Sequence, residues 1–511
     1  METTLNAMGR RFADTLAIAM RQSNVASVSQ NNMQKVHVSG AGRTLTFAYE
    51  QLRNAAEYTE EHLLLQRAIR RFYKRLFLSR DERQIKTSGE ELITELTLAG
   101  YLKNDSVAVG TISGINKLVA SYFEAHTTFM KDSWSTDVLA VEIEYLLNND
   151  LKQAVFTQFA YDHFLQTIDQ VKVFGKQVDD FKIALFVAVH RALLKSDLAT
   201  IRTALLHRYQ QKPDDPAYAQ TNEMIDRVLA ASTADKVYRV VDRRGAPLRV
   251  LWRLIDEHED TSHLLQSREQ FLSAYETQIA QEYTRINGRI NRGIIKSVIF
   301  LIITKVVIGV SIEVPYDYLT QGMIAWLPLA INLLFPPIYM VLLRLTLSLP
   351  REANTHALTD TIDDLLYSDT AALTVYTKIG TGFSVAFNVV YIFFFIAIFG
   401  GAAFWLTSLG FTILHLVIFF VFLSTASFLG FRLSRQIREI EVVEGNQNGV
   451  TVLRDFLYIP FVVVGRWMSE KYARVNLVAM ILDMVIELPL KTVLHLIRQW
   501  GAFITSKKDE L

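Results

Sequence analysis

Lys305 is the residue with the most chemistry to account for. It falls inside an apolar run, residues 294–314, about 13 to 17 Å from either end at ~1.5 Å per helical residue. A charged lysine at such depth in a bilayer costs on the order of 2.5 kcal/mol or more unless it is paired or hydrated. It is therefore expected to face the interior of a helix bundle. Its candidate partners inside the other apolar runs are Asn332, Asn388 and His415, none of them a carboxylate. All are neutral or weakly basic, so together with Lys305 they form a set suited to holding an anion or passing an ion. The plainer reading is a structural contact, or a tilted helix whose lysine reaches a headgroup.

Two further groups have usable spacing. His356, Asp360 and either Asp363 or Asp364 share one face of a helix, an arrangement that fits Mg²⁺ or contact with the chain's own basic helix around residues 67–75. The simpler reading is an amphipathic surface helix, with Leu358, Ile362, Leu365 and Leu366 on the buried side. Arg67, Arg70, Arg71, Lys74 and Arg75, interleaved with Phe72, Tyr73 and Phe77, form a basic aromatic helix face. Such a face suits anionic lipid headgroups, at about 1 kcal/mol per base near a membrane, and it also suits RNA or an acidic protein surface. Nearby Glu60, Glu61, Asp81 and Glu82 offer the alternative of a solvated face with internal pairs.

Other motifs are weaker. His258 and His263 are five apart, not the three or four that places two ligands on one helix face. The Gly40-Ala41-Gly42-Arg43-Thr44 stretch lacks a phosphate loop's first glycine, having His37 in its place, and its lysine is Arg43. The chain has no cysteine, which excludes disulfides, thiolate nucleophiles and thiolate-held metals. No metal or cofactor is expected, and no convergent catalytic set is visible. A formal net charge of +1 gives no whole-chain attraction to nucleic acid, which is not an expected partner.

The elements that must position these residues divide by hydropathy. Apolar runs at residues 294–314, 323–347, 383–407 and 409–431 are each about 20 residues or more, enough to cross a ~30 Å hydrocarbon layer as helices. The expected fold class is all-α: a polytopic helical membrane protein of about four transmembrane helices, with a large helical N-terminal cytoplasmic domain and amphipathic interfacial helices at the C-terminus. The domains are residues 1–292, with a sub-boundary at the proline-bearing stretch 211–217, then the membrane block 293–432 with an excursion at 350–380, then the tail 433–511. Pro328, Pro336 and Pro337 are expected to break or kink the second span. Spans three and four are joined so closely around Ser408 that they must form a hairpin. Ala397 with Gly401, and Ala426 with Gly430, are small residues four apart suited to close helix contact or to a homo-oligomer.

Helical periodicity dominates the first 292 residues. Residues 5–22 read as an amphipathic first helix rather than a targeting peptide, since Glu2 and Asp14 intrude and no secretory apolar core is present. Residues 36–45 alternate as a short hairpin would. Residues 236–251 fit either a second hairpin or two helices with a turn at Gly245. In the tail, residues 453–465 are apolar but too short to span, and residues 475–500 carry a wide apolar face with a stripe of Asp483, Glu487, Lys491, His495 and Arg498. These are expected to lie in the headgroup layer or to dock on the bundle, where Asp483 or Glu487 would reach Lys305.

Arg285, Arg289, Arg292 and Lys296 precede or open the first span, and Arg432, Arg435 and Arg438 follow the fourth, whereas Glu313 and Asp317 mark the first span's far end. The positive-inside rule then puts both termini in the cytoplasm, with a prokaryotic plasma membrane as the expected location. The closing Lys508-Asp509-Glu510-Leu511 would face the wrong side for a lumenal retrieval receptor and reads as an ordinary charged tail. The expected function is a non-enzymatic membrane anchor or scaffold binding protein partners or anionic headgroups. Alternatives are an oligomeric channel or transporter using Lys305 and the proline-rich second span, and a lipid-modifying enzyme using His356 and its neighbouring aspartates.

Overall fold

The computed structural model describes residues 5–474 except 32, 41–42, 45, 48–49, 51–62, 149–150, 259, 351, 369–384 and 444–448; side chains of 26–31, 385–388, 449–455 and 472–474 are also outside the description. Among the described residues the chain is all-helical, without strands. Contacts divide it into two compact units. Among the described residues one contains 5–10, 167–177 and 242–474, and the other contains 11–166 and 178–241. The contact division therefore falls at Asp242, upstream of the hydropathy break at 292.

In chain order the second unit uses α1 (Ala7–Asn31), α2 (Leu64–Ser79), α3 (Gly89–Leu98), α4 (Val109–Phe129), α5 (Thr136–Leu147), α6 (Leu151–Thr167), α7 (Phe181–Val189), α8 (Leu198–Arg208), α9 (Tyr218–Ala230) and α10 (Ser232–Arg244). Helix starts follow the acids. Asp197 accepts from the Thr200 N–H at 2.9 Å and so caps α8, satisfying a donor that the first turn leaves free. The core is built from helical stripes such as Ile69, Phe72, Tyr73 and Leu76 of α2, all buried. Among the described residues of 36–45 no strand pairing of the expected hairpin is present. Val36 N–H instead donates to Val107 O at 2.9 Å beside an isolated antiparallel bridge between Lys35 and Ala108, and helix resumes at Arg43.

Residues 236–251 resolve into two helices, the end of α10 and α11 (Ala246–Glu257), with Pro247 in the first turn where its missing N–H costs nothing. The first unit then continues through α12 (Arg268–Ile308), a π-helical turn at Gly309–Glu313, and α13 (Val314–Gln321). Together these make a continuous helix of 54 residues, about 80 Å long at ~1.5 Å per residue. Then come α14 (Trp326–Thr346), α15 (Glu352–Tyr367), α16 (Val385–Ser408), α17 (Ile413–Arg438) and α18 (Gly449–Arg474).

Four of these helices, Arg268–Gln321, Trp326–Thr346, Val389–Ser408 and Ile413–Arg438, are long and apolar enough to cross a membrane. The pattern on the first shows what solvent it suits. Ile286, Ile290, Ile294, Leu301 and Lys305 recur at helical spacing on its buried face, whereas Ile295, Ile299, Ile303 and Val307 on the opposite face are more than half exposed. A helix that is greasy outside and holds its charge inside is arranged for lipid, not water.

The prolines of α14 do not interrupt it. Pro328 occupies the first turn, and the helix runs on through Pro336 and Pro337. The α16–α17 hairpin forms as expected, with Gly410 at φ +86° supplying the left-handed turn residue. Gly430 lies against Leu343 and Met340, so it brings α17 close to α14; a Cβ at Gly401 would meet nothing within 4 Å among the described residues. The apolar stretch 453–465 belongs to a helix twice its length, α18, which packs along α17 where Gly465 meets Ser424 and Phe428. Residues 475–500, with Asp483 and Glu487, lie outside the described residues.

Candidate functional site: a buried charge network

Lys305 is 2% exposed and is paired. Its Nζ donates to Glu313 Oε1 at 2.9 Å and sits 4.7 Å from the centre of the Phe422 ring. The two residues are eight apart on one helix, and eight residues of regular α-helix would leave them about 80° out of register around the axis. The π turn at Gly309–Glu313 removes that offset, because a wider turn spends more residues per revolution. Its cause is Pro315, in the first turn of α13, which has no N–H for the Ser311 carbonyl and crowds it.

The network continues across three helices. Glu313 Oε2 accepts from Asn332 Nδ2 of α14 at 3.3 Å, and the same amide nitrogen donates to the His415 carbonyl of α17 at 3.3 Å. His415 Nε2 then lies 3.3 Å from Asp317 Oδ1 of α13, both side chains wholly buried. The outer end is fixed by backbone: Ala325 N–H donates to Asp317 Oδ2 at 3.1 Å, and Thr412 N–H donates to His415 Nδ1 at 3.4 Å. Among the described residues Asn332 Oδ1, Asp317 Oδ1, His415 Nε2 and Ser424 Oγ have no hydrogen-bond partner, although His415 and Asp317 are within ion-pair range.

Three of the four expected intramembrane polar residues, Lys305, Asn332 and His415, are thus brought together. The side chain of Asn388 lies outside the description. Glu313 and Asp317 are the residues that sequence reasoning placed beyond the network, at the far end of the span. Their four-residue spacing and the proline between them were the available signal.

The other candidate sets are dispersed or neutralised. On α2, Arg70 pairs with Asp137 at 3.2 Å and Asp197 at 3.0 Å, Arg71 with Glu50 at 2.6 Å, Lys74 with Asp132 at 3.1 Å, and Arg75 with Glu95 at 2.9 Å. Arg67 also has a partner. On α15, Arg268 grips Asp363 in bidentate fashion at 2.6 Å for each contact, while His356, Asp360 and Asp364 are exposed. Among the described residues no three histidines, aspartates or glutamates are grouped to hold a metal ion.

Near the α2 pairs, burial, and next the charge of Asp197, push the Glu144 carboxyl up to about 7. His207 is raised by its 2.6 Å contact to Glu142, and His190 is lowered to about 4 by burial.

Fold and site together define a helical protein with four helices able to cross a membrane and a network of two carboxylates, a lysine and a histidine enclosed among them. Comparison with family models, curated proteins and solved structures finds no match to this chain.

Proposed function

We propose that the chain is an integral membrane scaffold, with its N- and C-terminal segments on the cytoplasmic side and its helical second unit serving protein partners. The observation that carries this reading is the unbroken helix Arg268–Gln321. Its apolar half packs on α14 and α17, and its polar half packs on α11 and α15, so the apolar bundle and a polar collar form one compact piece. Pairing of the α2 bases with carboxylates favours protein partners over anionic headgroups, since those charges are already satisfied. Orientation follows the arginines: Arg285, Arg289 and Arg292 at one end, Arg435 and Arg438 at the matching end of α17.

The cysteine-free chain makes topology easy to read. Thr320→Cys is expected to react with an impermeant maleimide from outside intact cells, and Ser434→Cys only after permeabilisation. The reverse pattern overturns the orientation. Scaffolding itself is tested by purifying the full chain in mild detergent. Recovery of a stoichiometric protein partner supports it, and recovery of the chain alone under every extraction condition contradicts it.

A second reading is carried by the buried network: an oligomer that moves a small ion past Lys305. It predicts flux in reconstituted vesicles that a charge-free Lys305→Met/Glu313→Gln double variant lacks. The scaffold reading predicts no flux from either.

A further inference from the structure

The buried network does not balance its own charge. Lys305 and Glu313 cancel each other across their 2.9 Å contact. That leaves Asp317 facing His415, whose Nδ1 is occupied as an acceptor from the Thr412 N–H, so in its neutral form the ring carries its only proton on Nε2. One negative charge is then in excess in a site where both side chains have no exposure at all. Thr412 and Phe411 at the start of α17 touch the His415 ring, and the other charged and polar groups joined to this pair through the network are Asn332 of α14, Glu313 of the π turn and Lys305 of α12. Among the described residues none supplies a second positive charge. Asp317 Oδ1 and His415 Nε2 are also among the buried polar atoms without a hydrogen-bond partner. A charge in such surroundings is tolerated only when compensated.

We propose that Asp317 and His415 form a proton-binding site within the apolar bundle, holding one proton that neutralises the network. With the proton on Asp317 the carboxyl is a neutral donor toward its neighbours. With the proton on His415 the ring becomes the cation that the carboxylate faces, its Nδ1–H turning to Thr412 Oγ1 at 3.0 Å. Either placement satisfies the charge balance, and the two interconvert without moving a helix. The inference goes beyond the scaffold reading and does not need ion flux. A resident proton stabilises a scaffold as well as it serves a carrier.

The test is infrared difference spectroscopy of the full-length protein in lipid nanodiscs, stepping from alkaline to neutral buffer containing potassium as the only alkali cation. The wild-type chain is expected to take up one proton, seen as a carboxylic-acid carbonyl band or an imidazolium ring band. Asp317→Asn is expected to lose that band, and Lys305→Met/Glu313→Gln to keep it, because removing a cancelled pair leaves the excess charge in place. Carbon-labelled aspartate and nitrogen-labelled histidine assign the band in the wild-type chain, so the result stands even if Asp317→Asn does not fold. No uptake by the wild type overturns the proposal. So does a band kept in Asp317→Asn and lost in the double variant, which would put the proton on Glu313, or a band suppressed by sodium, which would make the site a cation site.

Discussion

Glu313 reaches Lys305 across eight residues of one helix, its Oε1 standing 2.9 Å from the ammonium. The contact exists because Pro315 widens the turn before it, so that a carboxylate which regular helix would point elsewhere is brought over the lysine. A buried lysine without that partner would be an uncompensated charge in an apolar bundle, and breaking such pairs is far more destructive than never having made them. The pair sits at one end of a chain of contacts that ties α12 and α13 to α14 through Asn332 and to α17 through His415.

The α17–α18 contact depends on the absence of a side chain at one position. A Cβ at Gly465 would run into the Ser424 carbonyl and Phe428, both on a rigid helix. Gly465→Val is expected to lower stability by about 1–3 kcal/mol through overpacking, read as a drop in the melting temperature of the detergent-solubilised chain. Gly401→Ala, whose Cβ meets nothing within 4 Å among the described residues, is expected to stay within ~0.5 kcal/mol of the parent.

The end of α17 is held by Asn354. Its Nδ2 donates to Ile440 O at 2.9 Å, and its Oδ1 accepts from Val442 and Val443 N–H at 2.7 and 3.1 Å. Arg249 adds bonds to the Glu439 carbonyl and to Asp242. Asn354→Ala leaves the buried Ile440 carbonyl and the part-buried Val442 and Val443 N–H groups without their partner and is expected to cost about 1–3 kcal/mol. Hydrogen exchange should report it locally, as faster exchange at Val442 and Val443 with the amides of α8 unchanged.

Glu144 gives the second unit a pH dependence of definite sign. Burial lifts its carboxyl from 4.5 to about 7 in the folded chain. Below pH 4.5 folded and unfolded states both hold the proton and the residue contributes no difference. As pH rises toward 7 the unfolded chain ionises first, so stability falls, and above about 7 the loss is constant. Glu144→Gln is therefore expected to be more stable than the parent at about pH 8, by up to about 3 kcal/mol, and to match it at about pH 4. A parent whose advantage over the variant grew with pH would contradict this.

Much of the fold could be read from residue order because lipid imposes a crude rule: about twenty apolar residues make a span. The hairpin around Ser408 and Gly410 and the inward direction of Lys305 follow from that rule and from the cost of a bare charge. The partner of Lys305 did not follow. Hydropathy places the first span's end at Val314, which puts Glu313 at the margin and Asp317 beyond it, whereas the helix continues to Gln321 and folds both carboxylates inward. Length also misleads for α18, where Pro460 and flanking charges shorten the apolar stretch but not the helix. The described residues of 36–45 lack the expected strand pairing for another reason. The partner of Lys35 is Ala108, far along the chain, and no local alternation encodes a contact of that range. On α2 the basic residues were visible, but the carboxylates that absorb them come from several other helices, which periodicity alone does not assign.

A double-variant cycle on Lys305 and Glu313 addresses the core of this account most directly. Unfolding of the full chain in mixed micelles is measured for the parent, Lys305→Met, Glu313→Gln and the double variant. Each single change is expected to cost about 3–5 kcal/mol, and the double variant to recover most of that loss because no buried charge is left unpaired. A double variant as unstable as the two losses added together, or single variants indistinguishable from the parent, would contradict the buried pair and the bundle built around it.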